Sequence, residues 1–286
     1  MRIGARIHDL VQTDIDGFAE ALAQYETDCI QLTAPKVLTD CNLTLQPFSA
    51  ERGRRIAREI ARSGVELPVL SAYVNPLAED CEAELATFRK YVDYAVLLGA
   101  RCVGTESGTA TLKFEEDDSP NHTPESLEKS ISNLLILAEY AHSKGMRMGI
   151  EAVSFFPICD GETVSGFLRR APDNVDIIFD PTNLLNARNY RQQAEIFEEF
   201  FCRHAERIRV VHLKDFTAEE NRLVPAELYR GQLDTGCVFR LLAEYRLDPD
   251  FILEESTPNN YAELRNRTAK ELKRYGNQAG REQRGI

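Results

Sequence analysis

The chain has 286 residues, 43% apolar and 28% charged, with a formal charge of −12 and a pI near 5.0. This length suits one large core, the composition excludes a disordered chain, and the acidity disfavours long-range attraction to a nucleic-acid backbone or an anionic lipid surface. No apolar run is long enough to cross a bilayer and Met1-Arg-Ile-Gly-Ala-Arg-Ile7 leads into a strand without a signal-peptide pattern, so a cytoplasmic protein with neither nucleic acid nor membrane as partner is expected.

In chain order, strand-like runs alternate with amphipathic stretches eight times, the pattern of stacked βαβ units. The predicted strands are Arg2–Ile7, Cys29–Leu32, Glu66–Ala72, Cys102–Thr105, Arg147–Glu151, Asp176–Phe179, Ile208–His212 and Phe251–Glu254. Between them, apolar residues at spacings of three and four predict helices over Ala50–Ser63, Cys81–Leu98, Pro124–Lys144, Tyr190–His204 and Val238–Tyr245. Thr123-Pro124-Glu125 reads as a helix start, and Ser63-Gly64, Leu98-Gly99 and Lys144-Gly145 as glycine stops. The expected fold is α/β, a single (β/α)8 TIM barrel over residues 1–286, with a frayed polar tail from 276.

Two long connections fall on the face where barrel active sites gather. The first, Glu106–Thr123, carries the acidic run Glu115-Glu-Asp-Asp118 and is a lid candidate; the second, Asp215–Gly236, is expected to close the other side. The cysteines Cys29, Cys41, Cys81, Cys102, Cys159, Cys202 and Cys237 are odd in number and never spaced Cys-x-x-Cys. That pattern fits buried free thiols in a reducing compartment, not a disulfide frame.

Four segments in the second half end an apolar run on a metal-binding side chain: Met148-Gly-Ile-Glu151, Ile177-Ile-Phe-Asp180, Arg209-Val-Val-His212 and Phe251-Ile-Leu-Glu254. The last position of a barrel strand points to the upper rim, so these four side chains should converge. Any one of them alone is as readily a cap or an ion-pair partner. Together they would bury several like charges, a costly arrangement unless a cation neutralises them. Three carboxylates and an imidazole suit one divalent cation, Mn²⁺ first, with Mg²⁺, Co²⁺ or Zn²⁺ as alternatives.

The segments Gly149-Ile-Glu151, Phe179-Asp-Pro-Thr-Asn-Leu-Leu185, Val211-His-Leu-Lys-Asp215 and Ile252-Leu-Glu254 resemble the xylose-isomerase-like TIM barrels grouped as sugar phosphate isomerases/epimerases. The resemblance extends over the whole chain, including Leu98-Gly-Ala-Arg-Cys-Val103 and Asn121-His-Thr-Pro-Glu125. It implies that Glu151, Asp180, His212 and Glu254 are metal ligands in an isomerase or epimerase of a small sugar or sugar derivative. It also implies proton transfer through a metal-stabilised enediolate, with Glu151 and Glu254 as the acid/base pair. His8, Glu106, Asn183 and Lys214 are the expected substrate contacts; Asn183 reads equally as a helix cap, and Lys214 is able to attract an anionic group. The resemblance further implies a homodimer or homotetramer.

Some positions depart from the ketose 3-epimerases of that group. Asn183 stands where they often carry a histidine, Ser154-Phe-Phe-Pro-Ile158 where they have a further glutamate, and Lys214-Asp215 where an arginine is common. An inosose-dehydratase-like lyase and a non-catalytic carbohydrate-binding barrel are therefore the alternatives. A DNA phosphodiesterase similar to endonuclease IV would want more histidines than the five present and a basic surface.

Overall fold

Eight parallel strands close into a barrel in the computed structural model, which describes residues 1–114 and 116–282. They are β1 (Arg2–Arg6), β2 (Cys29–Leu32), β3 (Glu66–Ser71), β4 (Cys102–Thr105), β5 (Arg147–Glu151), β6 (Val175–Phe179), β7 (Ile208–Leu213) and β10 (Asp250–Leu253). An antiparallel ribbon of β8 (Asp215–Glu219) and β9 (Arg222–Ala226) lies between the last two in sequence and outside the barrel. The barrel is the fold expected from the alternating pattern, and no predicted strand end is off by more than one residue.

The helices are α1 (Phe18–Leu22), α2 (Ala34–Val37), α3 (Ala50–Ser63), α4 (Cys81–Leu98), α5 (Pro124–Ser143), α6 (Gly161–Leu168), α7 (Gln193–His204), α8 (Thr235–Glu244) and α9 (Tyr261–Glu282). Their boundaries follow side-chain chemistry. Thr123 accepts a hydrogen bond from the Ser126 N–H to cap α5, and Gly64 and Gly99 end α3 and α4 in the left-handed region, at φ of 72° and 70°.

Several elements differ from expectation. Helix α8 starts three residues earlier than Val238, because Asp234 caps it through the Cys237 N–H, and Tyr190–Gln192 form a 3-10 turn ahead of α7. Helix α6 is absent from the predicted set. It is short, but Asp160 and Thr163 cap each other's backbone in a full capping box. The stretch Asp215–Gly236, expected as an extended connection, contains the β8–β9 hairpin. The helix α9 runs on through residues 276–282, and residues 283–286 of the expected tail lie outside the described residues. The cysteines are all free, yet Cys202 is exposed and Cys81 and Cys159 are only half-buried.

The barrel is filled, not hollow. Cys29, Val69, Cys102, Ile178, Val210 and Ile252 form its inner apolar cluster, while Phe179 packs outward among Phe197, Phe200 and Phe201 with ring centroids 5.1–6.0 Å apart. Each such fully buried phenylalanine contributes about 1.5–3 kcal/mol. Strand side chains alternate, so two residues beyond the inner cluster come Gln31, Ser71, Gly104, Asp180, His212 and Glu254. A polar ring therefore rests on an apolar plug.

Candidate metal centre

Glu151 ends β5, Asp180 follows β6 directly and His212 lies in β7; they are 4%, 1% and 1% exposed. One ligand atom from each lies within 4.8 Å of the others. The His212 Nδ1 is 3.4 Å from Glu151 Oε2, 3.9 Å from Asp180 Oδ2 and 3.3 Å from Glu254 Oε1. Glu254, one residue past β10, thus borders the trio through the imidazole. Its backbone N–H still bonds to the Leu213 carbonyl, which keeps it in line with β7.

Local structure aims these groups. Asp180 Oδ1 accepts the N–H groups of Thr182 and Asn183 at 2.9 and 3.0 Å, which leaves Oδ2 facing inward. The Asn183 side-chain amide donates to Glu151 Oε1, so this residue braces a carboxylate of the centre. Neither ring nitrogen of His212 makes a hydrogen bond, although the ring is buried. Its Nδ1 lies within ion-pair reach of Glu254 and Glu151 while Nε2 has no partner, and a buried polar atom without one is costly unless something else binds it. Two carboxylate oxygens and an imidazole nitrogen within 4.8 Å of one another fit a hard or borderline divalent cation.

Two cations of the chain itself already share the neutralisation that the sequence reading gave to a metal alone. Lys214 Nζ is 2.7 Å from Asp180 Oδ2 and 3.1 Å from Glu254 Oε2. Arg6 reaches Glu254 at 3.2 Å, Asp9 at 3.0 Å and Glu255 at 2.7 Å. Burial opposes charge on these groups; it prevails at Asp180 and Asp9, which are raised, whereas at Arg6, Lys214 and Glu254 the opposite charges outweigh it. Lys214 is held well above its ordinary pKa beside Asp180, Glu254 and Glu151, and Glu254 is held well below the usual carboxylate range by Lys214, His212 and Arg6. His212 loses basicity to burial and regains more from Glu254 and Glu151, ending at about 9. Glu106 has no such compensation: burial first, then the negative Glu151, push it up to about 8 despite Lys214. Its protonated form is favoured.

Of the remaining expected positions, Lys214 is half-buried within the cluster; its neighbour Asp215 bonds elsewhere. Asp215 accepts the N–H groups of Phe216, Gly231 and Leu233, anchoring the chain on both sides of the hairpin. His8 falls in a 3-10 turn after β1, not in the strand, with Nδ1 unpaired. Glu106 follows β4 by one residue. Sequence reasoning missed Arg6, Gln31 and Tyr73. A charged or amide side chain at the inward end of a strand was the available signal for the first two.

A cavity of about 220 Å³ opens beside the centre, lined by Asn183, Lys214, Glu255, Phe155 and the hairpin residues Leu223 and Val224. The hairpin thus walls one side of the mouth. On the other, Phe114 of the long loop packs edge-on against Phe156 at 5.4 Å, and Asn121 donates to the Phe155 carbonyl at 2.7 Å. Glu115, in the acidic run of that loop, lies outside the described residues. A larger cavity, about 960 Å³, is elsewhere, lined by residues such as Asp160, Arg188, Glu195 and Phe200, and contains none of the four converging residues.

The fold and the cluster together define a TIM barrel with a candidate metal centre at the carboxyl ends of its strands. The family model for the xylose isomerase-like TIM barrel matches residues 19–275, and the chain belongs to that family. Among curated proteins, none matches the sequence. Three solved structures illustrate the likeness of fold. A D-tagatose 3-epimerase-like protein is 18% identical at a TM-score of 0.70, covering 97% of this chain and 99% of its own. A xylose isomerase-like TIM barrel protein from Mycobacterium smegmatis, solved in complex with magnesium, is 18% identical at 0.67, covering 93% and 97%. Endonuclease IV from Thermus thermophilus is 17% identical at 0.66, covering 97% and 100%. At such identities the likeness is one of fold, and that fold serves more than one chemistry. Among the described residues, no helix is long and apolar enough to cross a membrane.

Proposed function

We propose that the protein is a divalent-metal-dependent isomerase or epimerase of a small sugar or sugar derivative. The observation that carries this reading is the buried trio Glu151, Asp180 and His212, one ligand atom of each lying within 4.8 Å of the others. Those three residues and Glu254 are the proposed ligands. A divalent cation held there supplies electrophilic stabilisation of negative charge on substrate oxygens; Mn²⁺ is the first candidate, and the M. smegmatis relative was solved with magnesium.

The proton chemistry belongs to the carboxylates. Glu254, kept ionised by Lys214, His212 and Arg6, takes a proton from the carbon beside the substrate carbonyl. Glu151, on β5 and braced by Asn183, returns a proton from the other side. Asn183 and Lys214 line the adjoining cavity and are proposed substrate contacts, as are His8 and Glu106.

The place of Glu106 favours a second reading, a lyase that eliminates water. Burial and the nearby Glu151 push Glu106 towards its protonated form, which suits an acid that protonates a departing hydroxyl. Incubating the Mn²⁺-loaded protein with ketoses and inososes in D₂O tests both readings. Deuterium entering the carbon beside the carbonyl without change of carbon skeleton or loss of water supports the isomerase. A product lighter by one water supports the lyase. Binding without deuterium uptake would leave only a carbohydrate-binding barrel.

A further inference from the structure

The mouth of the barrel is divided. The β5, β6, β7 and β10 side carries the charged cluster, whereas β2 and β3 present neutral hydrogen-bonding groups that no part of the proposed chemistry uses. Gln31, the inward residue near the end of β2, is 1% exposed. One end of its amide contacts Ser71 Oγ at 3.0 Å and Tyr73 Oη at 3.1 Å, and the other end has no partner in the protein. Whichever way that amide is turned, one buried polar end stays unpaired. Two residues on, the Thr33 hydroxyl is likewise buried and unpaired, and so is His8 Nδ1 beyond β1.

Native proteins leave few buried polar atoms unsatisfied, and three at the carboxyl ends of the neighbouring strands β1 and β2 point to a ligand that satisfies them. Tyr73 adds a second surface. Its residue is 45% exposed, yet its hydroxyl reaches in to Gln31 and is buried under the influence of Glu151, Glu254 and Glu106. An open ring edge beside inward hydroxyl and amide groups suits a molecule with an apolar C–H face and several hydroxyls.

The charge balance favours a neutral version of that molecule. The Arg6 and Lys214 side chains already pair with carboxylates, Arg6 with three and Lys214 with two. A phosphate on the Tyr73 side meets Glu106, Glu151 and Glu254, and neither of those two side chains is free to pair with it. We infer that Gln31, Thr33 and Tyr73 form a polyol-binding half-site that selects an uncharged, unphosphorylated polyhydroxylated substrate. This rests on the proposed function, whose site it completes.

Matched pairs test it on the Mg²⁺-loaded protein: D-fructose and D-tagatose against their 6-phosphates, and myo-inositol against its 1-phosphate, by saturation-transfer NMR. The neutral member of at least one pair is expected to bind about tenfold or more tightly than its phosphate. Gln31→Leu and the near-isosteric Thr33→Val should each weaken that binding about tenfold, with Mg²⁺ affinity by calorimetry and the circular dichroism spectrum unchanged. The inference is overturned if no neutral compound binds, if both variants bind as the wild type does, or if a phosphate ester binds better. In the last case, loss of that preference in Lys36→Ala would seat the phosphate on the exposed lysine of α2. Neutral binding through Gln31 without any deuterium uptake would instead sink the isomerase reading and leave the half-site standing.

Discussion

Arg6 and Glu254 meet at 3.2 Å across the seam where the first and last barrel strands pair, 248 residues apart in sequence. The contact is part of a buried network in which Arg6 also holds Asp9 and Glu255. Removing Arg6 leaves Asp9 without its cation and Glu254 with Lys214 and His212 only, at a cost of up to about 3–5 kcal/mol. Arg6→Met should therefore lower the free energy of urea unfolding by an amount up to that size. A loss below about 1 kcal/mol would mean that the seam is held by the backbone alone.

Glu254→Gln keeps the size of the side chain and its place after β10 but removes the basic oxygen. Metal-dependent deuterium exchange should fall at least about a hundredfold, the scale of general-base catalysis, while the circular dichroism spectrum is retained. Exchange at the wild-type rate would remove Glu254 from the acid/base pair.

Asp180 serves two purposes that one substitution separates. Asparagine still accepts the N–H groups of Thr182 and Asn183 through a side-chain oxygen, so the turn after β6 should survive. The negative charge is lost. Asp180→Asn is expected to weaken Mn²⁺ binding in calorimetry by at least about tenfold and to shrink the rise in melting temperature that Mn²⁺ gives. Unaltered Mn²⁺ affinity would show that the carboxylate is not a ligand.

His8 gives the metal-free protein an acid sensitivity of known sign. Burial, then the positive Arg6 and Lys36, lower it from its ordinary value to about 4. The unfolded chain takes up a proton at about 6.5, which the folded chain refuses until about 4. The contribution of His8 is full above 6.5 and is lost as pH falls from there towards 4, about 2 kcal/mol of it between pH 7 and 5. Urea unfolding at those two pH values should show a larger loss for the wild type than for His8→Gln by roughly that amount. Equal losses would contradict the burial of a neutral imidazole at this turn.

Much of this was legible along the chain. Glu151, Asp180, His212 and Glu254 each close or follow an apolar run, and those runs are strands that lie side by side in the barrel in the order β10, β7, β6, β5. The stops at Gly64, Gly99 and Gly145 and the start at Thr123 were readable because a cap is set by a few adjacent residues. The capping box at Asp160 and Thr163 is equally local, but two of the 8 residues of α6 are glycines, Gly161 and Gly166, which interrupt its apolar period. The β8–β9 hairpin escaped for another reason: it is an insertion between barrel strands, and the βαβ pattern gives no place for it.

The sequence alone determined the barrel, the strand ends and the four side chains brought to its rim, since alternation and capping act over a handful of neighbouring residues. Tertiary structure alone decided that Arg6 and Lys214 would share the buried charge of those four, and that Tyr73, bonded to Gln31, would lie near Glu151 and Glu254. Gly4 shows what closure demands: a Cβ there would lie 1.8 Å from the Cys29 carbonyl oxygen, so β1 approaches β2 only as glycine. Which charges end up in one dry space depends on that closure, which joins residues far apart in the chain, and a linear pattern carries no record of the distance between them.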